Sequence, residues 1–281
     1  MSTLSGKTRV AGVIGWPASH SLSPRIHGFW LNELGIDGAY VPFPVEPGAI
    51  ADAVKGLVAL GMAGANVTVP HKEVVIPMMD ELDHNARRLG AVNTIVVGRD
   101  GRLIGRNSDG YGFIENLRAS APDWSAATGP AVVLGAGGAA RAVVGALLEA
   151  GAPEVRLFNR TRARADSIAK DFHDPRIVVG DWYHTRPGLH DAALLVNTTS
   201  LGMKGQPQLA INLAELPADA VVNDIVYVPL ETELLKLARE RGNVVVDGLG
   251  MLLYQARVGF AAWFGQNPVV SEALRHFVLG S

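Results

Sequence analysis

A glycine-rich turn at GAGGAA (135–140) constrains the fold of this chain more than any other feature of its sequence. The apolar segment AVVL ends directly before it, and a helical pattern (138–150) begins inside it. A turn of the form G-x-G-x-x-A between a strand and a helix lets the backbone approach a pyrophosphate, whose charge the helix N-terminus favours. The residues predicted to bind a dinucleotide there are Gly135, Ala136, Gly137, Gly138 and Ala139. The alternative is a turn that only allows the helix to pack closely on the strand.

Short apolar segments alternate with helical patterns through the second half of the chain. Candidate strands lie at 131–135, 155–159, 177–180, 193–199, 221–227 and 244–248, and candidate helices at 138–150, 162–172 and 231–241. Short strands that are apolar on both faces and joined by helices are typical of a parallel sheet covered on each side. We therefore predict a doubly wound α/β domain of the Rossmann type.

The first hundred residues predict a separate α/β domain. Strand patterns lie at 8–15, 39–45 and 64–69, and a hairpin around Asp100-Gly101 lies at 93–105. Helical patterns lie at 23–34, with Ser23 as the predicted N-cap, at 49–60, and after the third strand up to about residue 89. Prolines in the segment 39–45 favour an edge strand. A polar stretch at 120–130 indicates a boundary region, and a long amphipathic helix at 250–265 is not needed by the second sheet. We predict a substrate-binding domain (1–110), a nucleotide-binding domain (111–247) and C-terminal helices (248–281) that pack on the first domain.

Composition excludes several classes of protein. The apolar fraction of 48% indicates a substantial core, and a net charge of −2 gives no reason to expect a nucleic acid or an anionic membrane as partner. No apolar run reaches the length of a membrane span, and the N-terminus lacks a secretion signal. Cysteine is absent and the eight histidines show no metal-binding spacing, so no metal site is predicted. We expect a cytoplasmic protein, monomeric or homodimeric, that binds small molecules.

The segment NRTRAR (159–164) predicts which dinucleotide binds. A ribose with a free 2′-hydroxyl is usually held by Asp or Glu after the second strand of such a domain, whereas this segment has three arginines and no acid. Guanidinium groups match a 2′-phosphate in charge and geometry. We therefore predict NADP, bound by Arg160 and Arg164 with Asn159 and Thr161. The alternative is a solvated basic face at the start of a helix, where positive charge opposes the helix dipole.

Small polar side chains follow several strand patterns of the first half. They are Ser21, Ser23, Asn66, Thr68, Lys72, Asn93, Asn107 and Asp109. Ligands of open α/β sheets bind at strand ends, and hydroxyls and amides gathered there suit a small, heavily hydroxylated ligand. Each also has a structural alternative, because Ser23 and Asp109 could cap helices and the asparagines could hold turns.

In these and further motifs the sequence resembles the shikimate dehydrogenase family over nearly its whole length. The shared motifs are HSLSP (20–24), GANVTVPHK (64–72), GAVNT (90–94), NSDG (107–110), GAGGAAR (135–141), NRT (159–161), NTTSLGM (197–203) and DGLGMLLYQA (247–256). The resemblance implies NADPH-dependent reduction of 3-dehydroshikimate to shikimate, a step of aromatic amino-acid biosynthesis. It implies substrate binding by Ser21, Ser23, Asn66, Thr68, Asn93, Tyr227 and Gln255, catalysis by Lys72 and Asp109, and a nicotinamide near Gly248.

The chemistry expected of the catalytic pair leaves two points open. Lys72 can donate a proton to the reduced carbonyl oxygen, and Asp109 can hold the ammonium in place, but either group could accept the proton in the oxidative direction. Ser108 stands where the family often has threonine, and Arg106 where many members have an acid. The remaining alternatives are a quinate/shikimate dehydrogenase with relaxed substrate or NAD specificity, a related dehydrogenase of a folate or amino-acid-derived substrate, and a non-catalytic NADP-binding regulatory protein.

Overall fold

The computed structural model describes residues 4–280, apart from the side chains of Arg186 and Pro187. The chain packs into two compact units. Unit 1 comprises the residues up to Ser108 together with those from Leu253 onward, and unit 2 comprises Asp109–Leu252. Each unit contains one six-stranded sheet with helices, which confirms the predicted two-part α/β class.

The described residues form twelve strands and ten α-helices. The strands are β1 (Arg9–Gly15), β2 (Gly38–Pro44), β3 (Gly64–Val67), β4 (Glu81–Leu82), β5 (Thr94–Val97), β6 (Leu103–Arg106), β7 (Ala131–Leu134), β8 (Val155–Asn159), β9 (Ile177–Asp181), β10 (Leu194–Asn197), β11 (Val221–Asp224) and β12 (Val244–Val246). The α-helices are α1 (Ser23–Glu33), α2 (Ile50–Ala59), α3 (His84–Leu89), α4 (Asp109–Ser120), α5 (Gly138–Glu149), α6 (Arg162–Phe172), α7 (Arg186–Leu189), α8 (Glu233–Glu240), α9 (Leu249–Phe264) and α10 (Glu272–Leu279). Short 3-10 helices lie at Pro47–Ala49, Ile76–Met78, Ala126–Thr128 and Trp182–His184. No described helix is long and apolar enough to cross a membrane.

The sheet of unit 1 is mixed and has the order β2-β1-β3-β5-β6-β4. Strand β1 pairs in parallel with β2 and β3, whereas β5 is antiparallel to both β3 and β6. The hairpin predicted around Asp100-Gly101 is confirmed, and Gly101 has the positive φ of +82° that such a turn requires. The edge position predicted for the proline-containing strand β2 is also confirmed.

The last helices complete the core of unit 1. Trp263 of α9 is fully buried, and its indole N–H donates to the carbonyl of Ile95 on β5 at 3.0 Å. The indole lies against Gly64, where φ is +147° and any Cβ would collide with the Ile95 carbonyl. Trp30 of α1 is likewise buried and donates to the carbonyl of Val269 at 2.9 Å. Strand β3 is therefore covered by a helix that is distant from it in the sequence.

The sheet of unit 2 is entirely parallel, with the order β9-β8-β7-β10-β11-β12. This is the order of the Rossmann fold, in which the crevice beyond the carboxyl ends of the two central strands binds a dinucleotide. All four residues of β7 and all four of β10 are buried, as predicted for strands covered on both faces. The glycine-rich turn joins β7 to α5 at this crevice.

Two local predictions were wrong. Ser23 does not cap α1, because the helix begins at Ser23 itself and Leu22 occupies the capping position without a side-chain bond. Helical segments were predicted from β3 up to about residue 89; α3 confirms the last of these, but the residues between β3 and α3 form turns, one short 3-10 helix and β4. Pro70 and Pro77 explain this difference, because neither has the amide hydrogen that a continuous helix would need there.

Candidate active site

The turn after β3 presents Thr68 and Lys72, both half-buried, just beyond Asn66 on the strand. The Thr68 amide donates to the carbonyl of Ile14 on β1 at 2.9 Å, and the Lys72 carbonyl accepts from the amide of Val92 at 2.8 Å. The second bond fixes the backbone of Lys72 beside the residue that precedes Asn93. The turn is therefore held at Thr68 by β1 and at Lys72 by the segment that leads into β5.

His71 supports this turn and faces away from solvent. Only 1% of its surface is exposed, and its Nε2 lies 2.8 Å from the carbonyl oxygen of Val45. Because a carbonyl can only accept, Nε2 carries the hydrogen and the ring is held in that tautomer. The contact ties the turn to the end of β2 and gives His71 a structural role.

Asn93 lies at the centre of a hydrogen-bond network that brings three predicted substrate-binding residues together. Its carbonyl accepts from the side-chain amide of Asn66 at 3.1 Å, and its own side-chain amide donates to Gln255 Oε1 at 3.3 Å. Its Oδ1 accepts from the Thr94 hydroxyl at 2.9 Å and from the Ser108 amide at 3.0 Å. Asn93 is 3% exposed, whereas Asn66 and Gln255 are half-buried. The network fixes these amides while leaving two of them partly open to a ligand.

Ser108 extends this network to the start of α4. Its hydroxyl accepts from the Asn93 side chain at 3.1 Å and donates to the Gln255 carbonyl at 3.2 Å. The serine hydroxyl thus joins Asn93 to Gln255. Asp109 follows directly as the first residue of α4 and is 7% exposed. The Ser108 amide, which donates to Asn93, therefore fixes the backbone directly before Asp109.

Ser21 and Ser23 lie side by side where α1 begins. The Ser21 hydroxyl accepts from the Ser23 amide at 3.2 Å, and both residues are half-buried. The backbone amides of a helix start favour a negatively charged ligand. The pair is consistent with carboxylate binding.

The glycine-rich turn of unit 2 has the geometry that dinucleotide binding needs. Gly135 has a φ of +111°, and a Cβ there would press against Thr198 and Thr199, so only glycine fits. Gly137 and Gly138 are exposed where α5 begins, and no side chain caps the helix. The exposed helix start therefore leaves space and backbone N–H groups for a pyrophosphate.

The arginines after β8 differ in their surroundings. The Arg162 guanidinium lies 3.7 Å from the Asp166 carboxylate, whereas Arg160 and Arg164 are exposed and make no ion pair within residues 4–280. Asn159 donates to the carbonyl of Thr161 at 2.8 Å, which fixes the backbone that carries Arg160. Two exposed cations at the end of the second strand suit a 2′-phosphate.

Tyr227 and Gly248 lie beyond the carboxyl ends of neighbouring strands in unit 2. Gly248 is buried, and a Cβ there would collide with the carbonyls of Ile225 and Val226. Glycine is therefore required for the segment after β12 to approach the segment after β11. Tyr227 is half-buried, and burial raises the pKa of its phenol, which keeps it neutral near pH 7.

Sequence reasoning missed a buried network at the ends of β10 and β11. The Asp224 carboxylate accepts from Asn197 at 3.0 Å, from the Thr232 hydroxyl at 2.7 Å and from the Val226 amide at 3.0 Å. Burial raises the pKa of Asp224, although these three donors oppose the rise. Asn197 in turn accepts from Thr199 in the loop beside Gly135. The available signal was the polar pair Asn223-Asp224 inside the otherwise apolar strand pattern VVNDIVY.

The described residues contain no group of three or more His, Cys, Asp or Glu side chains placed to hold a metal ion.

Comparison with known proteins agrees with this geometry. A family model described as the shikimate dehydrogenase substrate binding domain matches residues 13–95, and one described as shikimate / quinate 5-dehydrogenase matches residues 119–202. The chain is 60% identical to a shikimate dehydrogenase (NADP(+)) of Paramagnetospirillum magneticum, over 98% of this chain and 100% of that relative. Among solved structures, the shikimate 5-dehydrogenase of Thermus thermophilus in complex with NADP(H) and shikimate has a TM-score of 0.85 and 37% identity, covering 96% of this chain and 100% of that one. The quinate dehydrogenase of Corynebacterium glutamicum in complex with NAD has a TM-score of 0.90 and 30% identity, covering 98% and 99%.

Proposed function

The chain belongs to the shikimate dehydrogenase family, and we propose on this basis that it catalyses the reversible NADPH-dependent reduction of 3-dehydroshikimate to shikimate. The observation that carries the proposal is the 60% identity, over almost the entire length of both chains, to a relative named as an NADP-dependent shikimate dehydrogenase. The reaction is an oxidoreduction in aromatic amino-acid biosynthesis.

We assign substrate binding to residues of unit 1 and to Tyr227, which belongs to unit 2. Ser21 and Ser23 would hold the substrate carboxylate at the start of α1, with Tyr227 as a further group for the carboxylate. The substrate hydroxyls would meet Thr68 and the bonded amides of Asn66, Asn93 and Gln255. The hydrogen-bond network supports this assignment, because it orients three amides before any ligand arrives. Preorganised polar groups bind a hydroxylated ring with less loss of side-chain freedom.

Lys72 and Asp109 form the proposed catalytic pair. Reduction of the substrate carbonyl places negative charge on its oxygen, and the Lys72 ammonium would stabilise that charge and donate the proton. The Asp109 carboxylate would hold the ammonium and favour its protonated form. In the oxidative direction the pair would accept the proton as one coupled unit.

Cofactor binding is assigned to unit 2. NADPH supplies the hydride when it is bound. Gly135, Ala136, Gly137, Gly138 and Ala139 would hold its pyrophosphate, Asn159, Arg160, Thr161 and Arg164 would surround its 2′-phosphate, and Gly248 would lie near its nicotinamide. Of these groups, the exposed arginines discriminate against NADH because only NADPH carries the phosphate.

The domain and assembly assignments remain part of this proposal. We take 1–110 as the substrate-binding domain, 111–247 as the NADP-binding domain and 248–281 as C-terminal helices of the first. The packing of Trp263 on Ile95 supports the last of these. We further propose a cytoplasmic monomer or homodimer without a nucleic-acid or membrane partner. Sedimentation velocity of the purified protein would distinguish the monomer from the homodimer.

A spectrophotometric assay with both cofactors tests the function. The purified protein should oxidise shikimate rapidly with NADP and much more slowly with NAD, and quinate should be the poorer substrate. The similarity to a quinate dehydrogenase with NAD bound makes quinate the informative control. Rapid oxidation of quinate with NAD would instead support the quinate/shikimate alternative. A failure to oxidise either substrate with either cofactor would support the non-catalytic alternative.

A further inference from the structure

Tyr40 on β2 has no role in the function proposed above, yet it makes a direct bond to a proposed substrate-binding residue. Its side chain is buried at 7% exposure, and its phenol O–H donates to Asn66 Oδ1 at 2.6 Å. Burial raises the pKa of Tyr40 well above its ordinary value, with a smaller opposing influence from the Ser23 hydroxyl. The phenol is therefore neutral throughout the usual assay range and can act as a donor.

The remaining bonds of Asn66 leave only one hydrogen-bonding position open. A side-chain amide has two N–H donors and an oxygen that can accept two bonds. The nitrogen donates to the Asn93 carbonyl and to the Thr94 hydroxyl, each at 3.1 Å. Together with the bond from Tyr40, this occupies both donors and one acceptor position. The half-buried Asn66 can then only accept a bond from a ligand, so its partner must be a donor such as a hydroxyl.

The ring of Tyr40 is held by a second buried aromatic group. The His27 imidazole stacks on it with centroids 3.9 Å apart and planes inclined by 6°. His27 is fully buried; desolvation lowers its pKa to about 3, although the nearby Asn66 side chain opposes this shift. The histidine is thus a neutral ring at assay pH. The parallel imidazole restricts the phenol ring to one plane, and Trp263 and Phe260 pack on the imidazole.

We propose that Tyr40 is a positioning residue that fixes the amide of Asn66 as an acceptor for a substrate hydroxyl. The inference rests on the substrate role proposed for Asn66. It makes Asn66 the acceptor and the substrate the donor of their hydrogen bond. It also adds Tyr40, which bonds to Asn66 and not to the substrate, to the residues that determine specificity. Without the phenol hydroxyl, the amide oxygen loses its fixed partner, and Asn66 is held only by the two bonds of its amide nitrogen.

Tyr40→Phe tests the inference because it removes one oxygen and keeps the aromatic ring. The loss of one neutral hydrogen bond corresponds to about a 2- to 12-fold change in an equilibrium constant. KM for shikimate should rise within that range, while kcat changes less than about twofold because Lys72 and Asp109 are intact. In an Asn66→Ala background, Tyr40→Phe should cause no further change in KM. A shikimate analogue that lacks the hydroxyl bound by Asn66 should likewise be insensitive to Tyr40→Phe.

Two controls separate positioning from general loosening of the core. Phe260→Leu disturbs the same aromatic cluster without removing a hydrogen bond, so it should lower the melting temperature and leave KM unchanged. The side-chain NH2 resonances of Asn66 report its orientation without any substrate, and Tyr40→Phe should exchange-broaden them. An unchanged KM in Tyr40→Phe, or an equal rise in KM in Phe260→Leu, would overturn the inference.

The same experiments distinguish this inference from the function on which it rests. If the unaltered protein fails to turn over shikimate, the proposed function fails whatever Tyr40 does. The resonances of Asn66 then still decide whether Tyr40 fixes the amide. The unaltered protein could instead be active while the effects of Tyr40→Phe and Asn66→Ala on KM multiply in the double variant. In that case only the role of Tyr40 is refuted.

Discussion

Replacement of Arg160 by alanine should reduce the preference for NADPH over NADH. A hydrogen bond to a charged group contributes about 1.5–3 kcal/mol, or roughly 10- to 150-fold, whereas an exposed ion pair contributes only about 0.2–1 kcal/mol. Arg160 is exposed at the end of β8, so solvent weakens its interaction with the 2′-phosphate. We therefore expect the ratio of kcat/KM for NADPH to kcat/KM for NADH to fall by about 5- to 10-fold, which lies between the two ranges.

The assay measures 3-dehydroshikimate reduction with each cofactor in turn. NADH lacks the 2′-phosphate, so its kcat/KM should stay within about twofold in Arg160→Ala. Arg162→Ala is a matched control from the same segment, because the Arg162 side chain lies near Asp166 and the Val179 carbonyl and is not a proposed phosphate ligand. That variant should keep most of the preference. Raising the ionic strength from about 0.1 to 1 M shortens the screening length from about 10 to 3 Å and should narrow the difference between Arg160→Ala and the unaltered protein.

A particular result would refute this reasoning about the phosphate. If Arg160→Ala lowered kcat/KM by the same factor with NADH as with NADPH, the arginine would stabilise the fold or a shared part of the cofactor. A preference that was lost in Arg162→Ala instead would show that the wrong guanidinium had been assigned. Arg164→Ala should behave like Arg160→Ala, and the double variant would reveal coupling between the two cations.

Three further predictions concern Lys72, Gly64 and Asp224. Lys72→Ala should lower kcat at least about 100-fold and leave KM within a few-fold, because a positioned acid is lost; near-normal turnover would exclude this role. Gly64→Ala should lower the free energy of unfolding by at least about 1–3 kcal/mol in urea titrations, since φ is +147° and a Cβ would meet the Ile95 carbonyl; an unchanged midpoint would contradict the packing described. Asp224→Asn should change how the free energy of unfolding depends on pH. The folded-state pKa of Asp224 is raised, so the unaltered protein binds the extra proton when folded and loses stability as pH rises from 3.8, the ordinary pKa, through the raised value. The free energy of unfolding of Asp224→Asn minus that of the unaltered protein should therefore increase with pH across this window. If this difference did not change with pH, the carboxylate would have the same pKa in the folded and unfolded states.

Much of unit 2 could be predicted from the sequence because its strands carry a strong local signal. Short runs rich in valine and leucine predict strands that are buried on both faces, and the glycine-rich turn predicts where β7 meets α5. The predicted strand at 155–159 and helix at 162–172 have the observed bounds. The signal failed where structure depends on distant partners. Strand β4 has two residues, and the pairing of Glu81 and Leu82 with β6 is not visible in so short a segment.

The same distinction applies to the candidate site. Asn66, Asn93 and Gln255 could be named from motifs, and the structure joins them by hydrogen bonds. Tyr40 could not be found in this way, because a tyrosine in a strand pattern is ordinarily a packing residue. Its bond to Asn66 arises from the pairing of β1 with both β2 and β3, which the local sequence does not encode.

The dependence of β3 and β5 on Trp263 sets an order for events during synthesis. All of unit 2 leaves the ribosome before the tryptophan that covers the Gly64 and Ile95 backbone does. Unit 2 can therefore fold on the nascent chain while part of the sheet of unit 1 is still uncovered. A chain that ended just before α9 would lack Trp263, and the backbone of Gly64 and Ile95 in unit 1 would then stay uncovered.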